Sequence, residues 1–326
     1  MGIPWSISRS IGRTLRPACA AGLCAVALTA PAAASGAGRE WTQVGTSVGF
    51  ARGDGTTVAW TEAPGRARLA GGGTIGAPPG CPGHVTAAGA GRVLFECRVD
   101  AGVPPAFDWR GDYAVVPDGV RFELHHDSYY DRPSLDQIGA DWIAGGLYGY
   151  HVSDTQFRNW HDGWRLLAST GDTFGTGKWL DPSLHGLGRP LCRPLRRRAR
   201  GERFDTAPAY FPLQVSGRWA LDGTEGTALL SGSPLVLRHC GTRRARKLGE
   251  GRSGMVGSGW VTWIPQTLDG RARGVRALRL RDGRVFTWKV DDYAWVVHTA
   301  DALYASVPLE PGAQPGQWRI LRAPLP

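Results

Sequence analysis

The motif Gly45-Thr46-Ser47-Val48-Gly49 has the residue types of a hydrolase nucleophile, because it reads G-x-S-x-G. In hydrolases that use this motif, the serine lies on a sharp turn between a strand and a helix, after part of the sheet has been built. Ser47 instead lies near the start of the chain that would remain after export, and a hairpin pattern follows it. We therefore predict that Ser47 belongs to a strand and has no catalytic role.

The segment Gly171–Lys178 reads G-D-T-F-G-T-G-K and has some features of a phosphate-binding loop. Such a loop has four residues between its first glycine and the Gly-Lys pair, and a Ser or Thr directly after the lysine. Here the spacing is one residue longer and Trp179 follows the lysine. The segment therefore predicts no nucleotide site, and nothing else in the sequence indicates a cofactor.

His125, His126 and Asp127 are metal-ligating residue types in a row. On a strand, neighbouring side chains point to opposite faces, so only His125 and Asp127 could share a site. A third ligand would have to come from elsewhere in the chain. We predict instead that the three residues form an exposed loop after a strand over 120–124, with no metal bound.

Three acidic residues near predicted strand ends are the best candidates for glycoside chemistry: Asp108, Asp112 and Asp141. A hydrolase or lyase of this kind needs two carboxyl groups that converge at about 5–10 Å. The sequence does not bring these three together, so this chemistry stays an open alternative.

Two R-G-D tripeptides, Arg52-Gly53-Asp54 and Arg110-Gly111-Asp112, invite an adhesive interpretation. Gly and Asp are also the residues that turns prefer. We predict that both tripeptides form turns and that neither has an adhesive role.

A run of arginines is the densest cluster of charge, and it lies in a Gly- and Pro-broken stretch around 165–210. We interpret this stretch as a long surface excursion, where the run is either a solvated loop or a contact to an anionic cell-envelope polymer. The residues concerned are Arg196, Arg197, Arg198, Arg200 and Arg203.

Tryptophans fall into two groups according to the pattern around them. Those that alternate with other apolar residues are predicted to be core: Trp60, Trp142, Trp219, Trp263 and Trp288. Those in the irregular stretch are the better candidates for stacking on a ligand: Trp160, Trp164 and Trp179.

The first 35 residues have the order of a secretory signal peptide. Arg9, Arg13 and Arg16 precede an apolar run that ends in small residues, and cleavage near Ala34 fits best. A retained N-terminal anchor is the alternative. We expect a secreted or cell-envelope protein with no later membrane span. The net charge is +10, but we expect no nucleic-acid partner, because no recognised binding motif accompanies the basic charge.

Four cysteines remain after removal of the signal, which in an exported protein indicates two disulfides. Cys81 and Cys97 lie symmetrically about Gly89, where a hairpin turn would place them opposite each other. We therefore pair Cys81 with Cys97, and Cys192 with Cys240.

The elements that must position these residues are short antiparallel strands. A pattern of apolar residue, tight turn and alternating run recurs along the chain, and the last copies lie about 41 residues apart. The strands of these hairpins are predicted over 48–50 and 58–60, 85–87 and 93–95, 138–141 and 142–144, 213–217 and 219–221, 255–259 and 260–263, and 296–298 and 303–305. A second hairpin, 275–280 with 285–288, turns at Asp282-Gly283. Two hairpins per repeat would make one four-stranded sheet.

The pairing of GSGWVTW (257–263) with VRALRLRDGRVFTW (275–288) resembles blades of TolB-like and WD-repeat-like β-propellers, and DGTTVAWTE (54–62) is similar. The resemblance implies an all-β fold: one propeller of about six blades over residues 36–326, with five or seven blades or another multi-sheet fold such as a β-sandwich pair as alternatives.

That family is functionally broad, so the resemblance implies no particular ligand. We expect a non-catalytic binding or scaffolding module, whose partner would be an envelope polymer or another exported protein. The alternative is a carbohydrate-active hydrolase or lyase.

Overall fold

The computed structural model describes residues 40–101, 109–126, 137–138, 142–145, 148–151, 156–159, 210–224, 233–239, 242, 244–266, 274–290, 294–309 and 316–326. All of them lie in one compact unit, residues 35–326. Every regular element in this part of the chain is a β-strand, so the all-β prediction is confirmed. The predicted signal peptide lies outside the described residues.

The strands are numbered in chain order. They are β1 (Thr42–Val48), β2 (Arg52–Gly53), β3 (Val58–Ala63), β4 (Arg66–Leu69), β5 (Thr74–Gly76), β6 (His84–Gly89), β7 (Arg92–Ala101), β8 (Trp109–Val116), β9 (Val120–His126), β10 (Gln137–Ile138), β11 (Trp142–Gly145), β12 (Tyr148–His151), β13 (Gln156–Asn159), β14 (Tyr210–Ser216), β15 (Trp219–Thr224), β16 (Ser233–His239), β17 (Ala245–Gly257), β18 (Trp260–Pro265), β19 (Val275–Arg279), β20 (Val285–Trp288), β21 (Trp295–His298), β22 (Ala302–Pro308) and β23 (Gln317–Pro324).

These strands form five antiparallel sheets. Three are four-stranded and follow chain order: β2–β5, β6–β9 and β10–β13. A fourth has the order β1-β23-β22-β21, so the first described strand completes a sheet made by the last three. The fifth runs from β14 to β20 in order.

The seven-stranded sheet is two groups of four that share β17, a strand of 13 residues. Its first half pairs with β16, from Arg238↔Ala245 to Ser233↔Gly251, and its second half pairs with β18 as far as Gly257↔Trp260. The partners change at Gly251, which pairs with both Ser233 and Pro265, and the register with β18 shifts between Arg252 and Met255. The last strand of one group therefore continues directly as the first strand of the next.

Two hairpins within these groups have two-residue turns of the same kind. Ala90-Gly91 and Ser258-Gly259 both have two consecutive positive φ angles, 49° and 76° in the first pair and 44° and 84° in the second. Two-residue loops of this kind match the twist of antiparallel strands. The predicted hairpins at these two places are confirmed, and the first turns at Ala90-Gly91, one residue beyond the predicted Gly89.

Four other predicted hairpins are also confirmed by pairing: β10 with β11, β14 with β15, β19 with β20 and β21 with β22. The first predicted hairpin is wrong. Val48 ends β1 and pairs with Gln317 of β23, while the strand that pairs with β3 is Arg52–Gly53. β23, near the other end of the chain, pairs with the residues of β1 that a local hairpin would have used.

The groups are packed face to face through apolar side chains. Three of the five tryptophans predicted to be core are confirmed as buried, with Trp60 3% exposed and Trp263 and Trp288 each 2% exposed. Trp219 is only half-buried and packs edge-on against His239. The Trp142 side chain lies outside the described residues.

We call the first strand of each group its leading strand, a set formed by β2, β6, β10, β14, the second half of β17, and β21. Contacts run from β14 to β17, from β17 to β21, from β21 to β2, from β2 to β6 and from β6 to β10. The leading strands therefore lie side by side in a continuous row.

The predicted disulfide between Cys81 and Cys97 is confirmed, with a Cα–Cα distance of 4.4 Å. The register differs from the symmetric one predicted, because the hairpin pairs His84 with Glu96 and turns at 90–91. Cys81 precedes β6, and its amide donates to the Pro78 carbonyl in a turn that brings it to Cys97. A Cβ on Gly83 would overlap the Glu96 carbonyl oxygen, so only glycine fits between the cysteine and the strand.

Replacing both Cys81 and Cys97 with alanine is expected to lower the free energy of unfolding by about 3 kcal/mol, because the bond closes a loop of sequence separation 16. Urea unfolding of the oxidised proteins measures the difference. Equal midpoints for the double variant and the wild type would contradict a stabilising role.

Candidate functional site

The C-terminal ends of the leading strands β2, β17 and β21 meet at a buried carboxylate. It belongs to Asp54, which is 4% exposed. One of its oxygens accepts hydrogen bonds from the Thr56 amide and hydroxyl, each 2.8 Å, and from the Thr57 amide at 2.9 Å. The other accepts from the Ala90 amide of the next sheet at 2.9 Å. The turn predicted for Arg52-Gly53-Asp54 begins only at Asp54, because Arg52 and Gly53 form β2. The Asp54 carboxylate also ties two sheets together.

Backbones from different sheets approach each other closely around this carboxylate. A Cβ on Gly257, at the end of β17, would lie 2.5 Å from the Asp54 carbonyl oxygen and 2.9 Å from the Gly55 Cα. A Cβ on Gly89 would overlap the carbonyl oxygen of Ile138 in β10. Glycine is needed at both positions because the neighbouring atoms are backbone and cannot rotate away.

His298, at the end of β21, completes this cluster and is fully buried. Its Nε2 lies 3.0 Å from the Gly257 carbonyl oxygen, which can only accept, so Nε2 carries the proton. Its Nδ1 then accepts from the Thr262 hydroxyl at 2.9 Å. Burial lowers the pKa of His298 to about 4, against a smaller raising effect of the hydrogen bond to Gly257 and of the Asp54 charge. The imidazole is therefore neutral at physiological pH.

We call Asp54, Gly55, Gly257, Thr262 and His298 the polar lock. The hydrogen bonds of its carboxylate and imidazole go to backbone groups and threonine hydroxyls, so they hold neighbouring strands in position. Among the described residues, no group of three or more His, Cys, Asp or Glu side chains could hold a metal ion. This end of the leading strands is built to hold sheets together.

Acid is expected to weaken the polar lock through His298. Because its folded pKa of about 4 lies below the unfolded value of 6.5, the unfolded state binds more protons between these values, and stability falls as the pH is lowered through this window. We expect a loss of about 3 kcal/mol between pH 7 and pH 4 from this group. Urea unfolding of the wild type and of His298→Gln at both pH values isolates it, because the variant keeps every other titrating group. Parallel losses in the two proteins would refute the assignment.

The opposite end of β2 and β21 carries a cluster of half-buried aromatic side chains with one cation. Phe50 stacks on Trp295 with ring centroids 5.3 Å apart and contacts Trp318 at 4.3 Å. The Arg52 guanidinium lies over the rings of Phe50 and Trp295, 5.9 and 5.7 Å from their centroids. We call these four residues the aromatic-arginine cluster, and it joins the sheet of β2–β5 to the sheet that contains β1.

Sequence reasoning missed this cluster. Phe50 and Arg52 are separated from Trp295 and Trp318 by more than two hundred residues, and no motif links them. The pairing of β1 with β23 and the contact of β2 with β21 bring the two ends of the sequence together. The one available signal was an Arg two residues after a Phe, which is common in a chain so rich in arginine.

The predicted strand role of Ser47 is confirmed, since it lies in β1 opposite Trp318. Its side chain is 4% exposed, and its hydroxyl has no hydrogen-bond partner within the part of the chain that the structure describes. No described histidine therefore forms a hydrogen bond with it.

Two predictions about β8 and β9 are wrong in their local structure. Arg110-Gly111-Asp112 lies inside β8 and is no turn, and the Asp112 carboxylate is ion-paired with Arg121 at 2.5 Å. His125 and His126 belong to β9 and no loop, because β8 extends back to Trp109 and keeps them paired. The first error comes from interpreting Gly and Asp inside a strand as a turn, and the second from ending the strand over 120–124 too early.

Several predicted site residues lie outside the described residues, so their roles stay predictions. They are Asp108, Asp127, Asp141, Trp160, Trp164, Gly171–Lys178, Trp179, Cys192, Arg196, Arg197, Arg198, Arg200, Arg203 and Cys240. Tyr210, at the edge of the predicted insertion, begins β14.

Within the described ranges, no helix has the length and apolar character needed to cross a bilayer. No protein-family model matches the chain, and no curated protein matches it in sequence. Among solved structures, a chain in the crystal structure of a nidogen/laminin complex is similar over 80% of this chain and 85% of that chain, with 12% identity and a TM-score of 0.33. A likeness at this level decides neither fold nor function.

Proposed function

We propose that residues 36–326 form a single six-bladed propeller. The blades are the four four-stranded sheets together with β14–β17 and β17–β20, which share β17. Two features support a ring over a β-sandwich pair: the leading strands are neighbours in chain order, and β1 completes the sheet of β21–β23. A strand from one end of the chain that joins a sheet from the other end closes a ring without any extra element.

This propeller acts as a non-catalytic binding module outside the cytoplasm. The observation that carries the proposal is the polar lock, because the buried Asp54 and His298 are engaged in hydrogen bonds that position strands. The disulfide between Cys81 and Cys97 is compatible with an oxidising compartment, in agreement with the predicted signal peptide.

Binding and turnover can be measured together on one set of polymers. We expect the secreted protein to bind at least one purified cell-envelope polymer saturably, with no new reducing ends or unsaturated products after prolonged incubation. Release of such products would contradict the binding module and favour the carbohydrate-active alternative. Saturable binding to a separate exported protein, with none to any polymer, would keep the module and change its partner.

The arginine run is the contact to an anionic polymer that the sequence predicts. Replacing Arg196, Arg197, Arg198, Arg200 and Arg203 with serine, followed by a measurement of retention on purified envelopes, tests the contact predicted from sequence. Unchanged retention would assign these residues to a solvated loop.

A further inference from the structure

Three neighbouring leading strands begin with cationic or aromatic residues. Arg52 opens β2, Trp295 opens β21, and Arg252 lies where β17 changes partner. The last residues of the same strands converge on the polar lock, where His298 reaches Gly257 and Gly257 approaches Asp54. Since three neighbouring strands meet at one end, their opposite ends also lie at one edge of the row. We call Arg52, Arg252, Ser253 and Trp295 the mouth residues.

Arg52 is held by its aromatic neighbours. Its guanidinium lies over Phe50 and Trp295, at 5.9 and 5.7 Å from the ring centroids. A guanidinium on a ring uses its flat face for the cation–π contact, while its N–H donors point outward along its edge. That edge is the part that forms paired hydrogen bonds with a carboxylate or a phosphate.

Arg252 flanks β21 from the other side. It pairs directly with Ile264 of β18, and residues directly opposite in an antiparallel pair share one face of the sheet. Ile264 belongs to the core that this sheet shares with Val296 and Leu303 of the neighbouring sheet. Arg252 therefore lies on the face that is turned toward β21, so the two arginines approach the start of this strand from its two neighbours.

Ser253 adds an independent indication of a ligand. It has a φ of 50° although it is not glycine, its side chain is 3% exposed, and its hydroxyl has no hydrogen-bond partner among the described residues. The left-handed φ belongs to the register shift between Arg252 and Met255, so the indication is the buried hydroxyl. A buried hydroxyl without a partner costs free energy, which a bound polar group would recover.

Both arginines make further interactions within the chain. Each guanidinium has five N–H donors, so it can hold an internal partner and still donate to a ligand. A cation already fixed by protein contacts loses little side-chain freedom when a ligand arrives, which favours binding.

We infer that the mouth residues bind an anionic saccharide. A sugar ring would pack on the aromatic-arginine cluster, and a carboxylate or phosphate on that sugar would accept hydrogen bonds from Arg52 and Arg252. This inference rests on the proposed binding function and specifies its ligand class.

The test uses three saccharide probes of similar length: a galacturonate oligomer, a glycerol-phosphate oligomer carrying sugar, and neutral maltotriose. Titration calorimetry on the secreted protein should show binding to one or both anionic probes and much weaker binding to the neutral one. Binding to only one of the two anionic probes identifies the anion as carboxylate or phosphate.

Arg252→Gln and Arg52→Lys should each raise the dissociation constant for the anionic probe about tenfold, because each removes charge-assisted or paired hydrogen bonds. Arg276→Gln, which removes the same charge from the exposed face of β19, should leave it unchanged. Thermal unfolding of each variant checks the fold, and Arg52→Lys keeps the charge if full removal prevents folding.

Several results would overturn the inference and still leave the proposed binding function in place. Unchanged affinity in both arginine variants would place the site elsewhere, and loss of affinity only after the five-serine change at 196–203 would place it on the arginine run. Stronger binding to maltotriose than to the anionic probes, or binding to none of the three, would exclude an anionic saccharide. Cleavage of a probe would instead reject the proposed function itself.

Discussion

Replacing Gly257 with alanine is expected to lower the free energy of unfolding by about 3 kcal/mol, although it adds only one methyl group. That methyl would lie 2.5 Å from the Asp54 carbonyl oxygen and 2.9 Å from the Gly55 Cα. Both are backbone atoms in a turn held by the Asp54 carboxylate, so relief requires separating two sheets. The hydrogen bond from His298 to the Gly257 carbonyl would be strained by the same movement.

Gly76→Ala is the matched control. A Cβ at Gly76 has nothing within 4 Å, and its φ lies outside the left-handed region. We expect its stability to stay within about 0.5 kcal/mol of the wild type. Urea unfolding of the three proteins decides the matter, and equal losses at the two glycines would show that the contact between sheets has no special cost.

Removing residues 36–48, which deletes β1, is the second change with a large expected effect. The deletion removes six paired positions with β23, from Thr42↔Arg322 to Val48↔Gln317. It also removes the hydrogen bond from the Trp41 indole to the Lys289 carbonyl, at 2.6 Å. We expect a loss of about 3–5 kcal/mol, based on the net value of several backbone hydrogen bonds. The uncovered edge of β23 should promote self-association.

A shorter deletion, of residues 36–39, keeps β1 and should behave like the wild type. A synthetic peptide of residues 40–50 added to the longer deletion should restore part of the lost stability by occupying the same edge. Chemical unfolding and sedimentation velocity give the two readouts. A longer deletion that is as stable and as monomeric as the shorter one would remove the main support for ring closure.

The sequence allowed the local hairpins to be predicted because they depend on neighbours. Asp282-Gly283 and Ser258-Gly259 supply turn residues between alternating runs, and both hairpins form. The disulfide of Cys81 and Cys97 could be predicted for the same reason, although the turn lies one residue beyond the expected place. Each of these features is decided within about twenty residues of chain.

Long-range pairings could not be predicted in this way. Val48 was expected in a hairpin with β3, but it pairs with Gln317 of β23. Asp54 was correctly interpreted as a turn residue, but no neighbouring residue in the sequence predicts the hydrogen bond that it accepts from Ala90. The aromatic-arginine cluster depends on the same long-range pairing, so its residues carried no local signal. Composition and turn chemistry therefore indicate strands, while the meeting of distant strands decides where a site can form.

The continuity of β17 bears on how this protein would come apart. Because one uninterrupted strand ends one group and begins the next, no hinge separates β14–β16 from β18–β20. Fraying on either side must pass through the same backbone, so the two groups should open as one cooperative foldon. Amide protons of 246–257 should exchange together with those of both neighbours. Mechanical load applied to one group would reach the polar lock through Gly257 without crossing a loop.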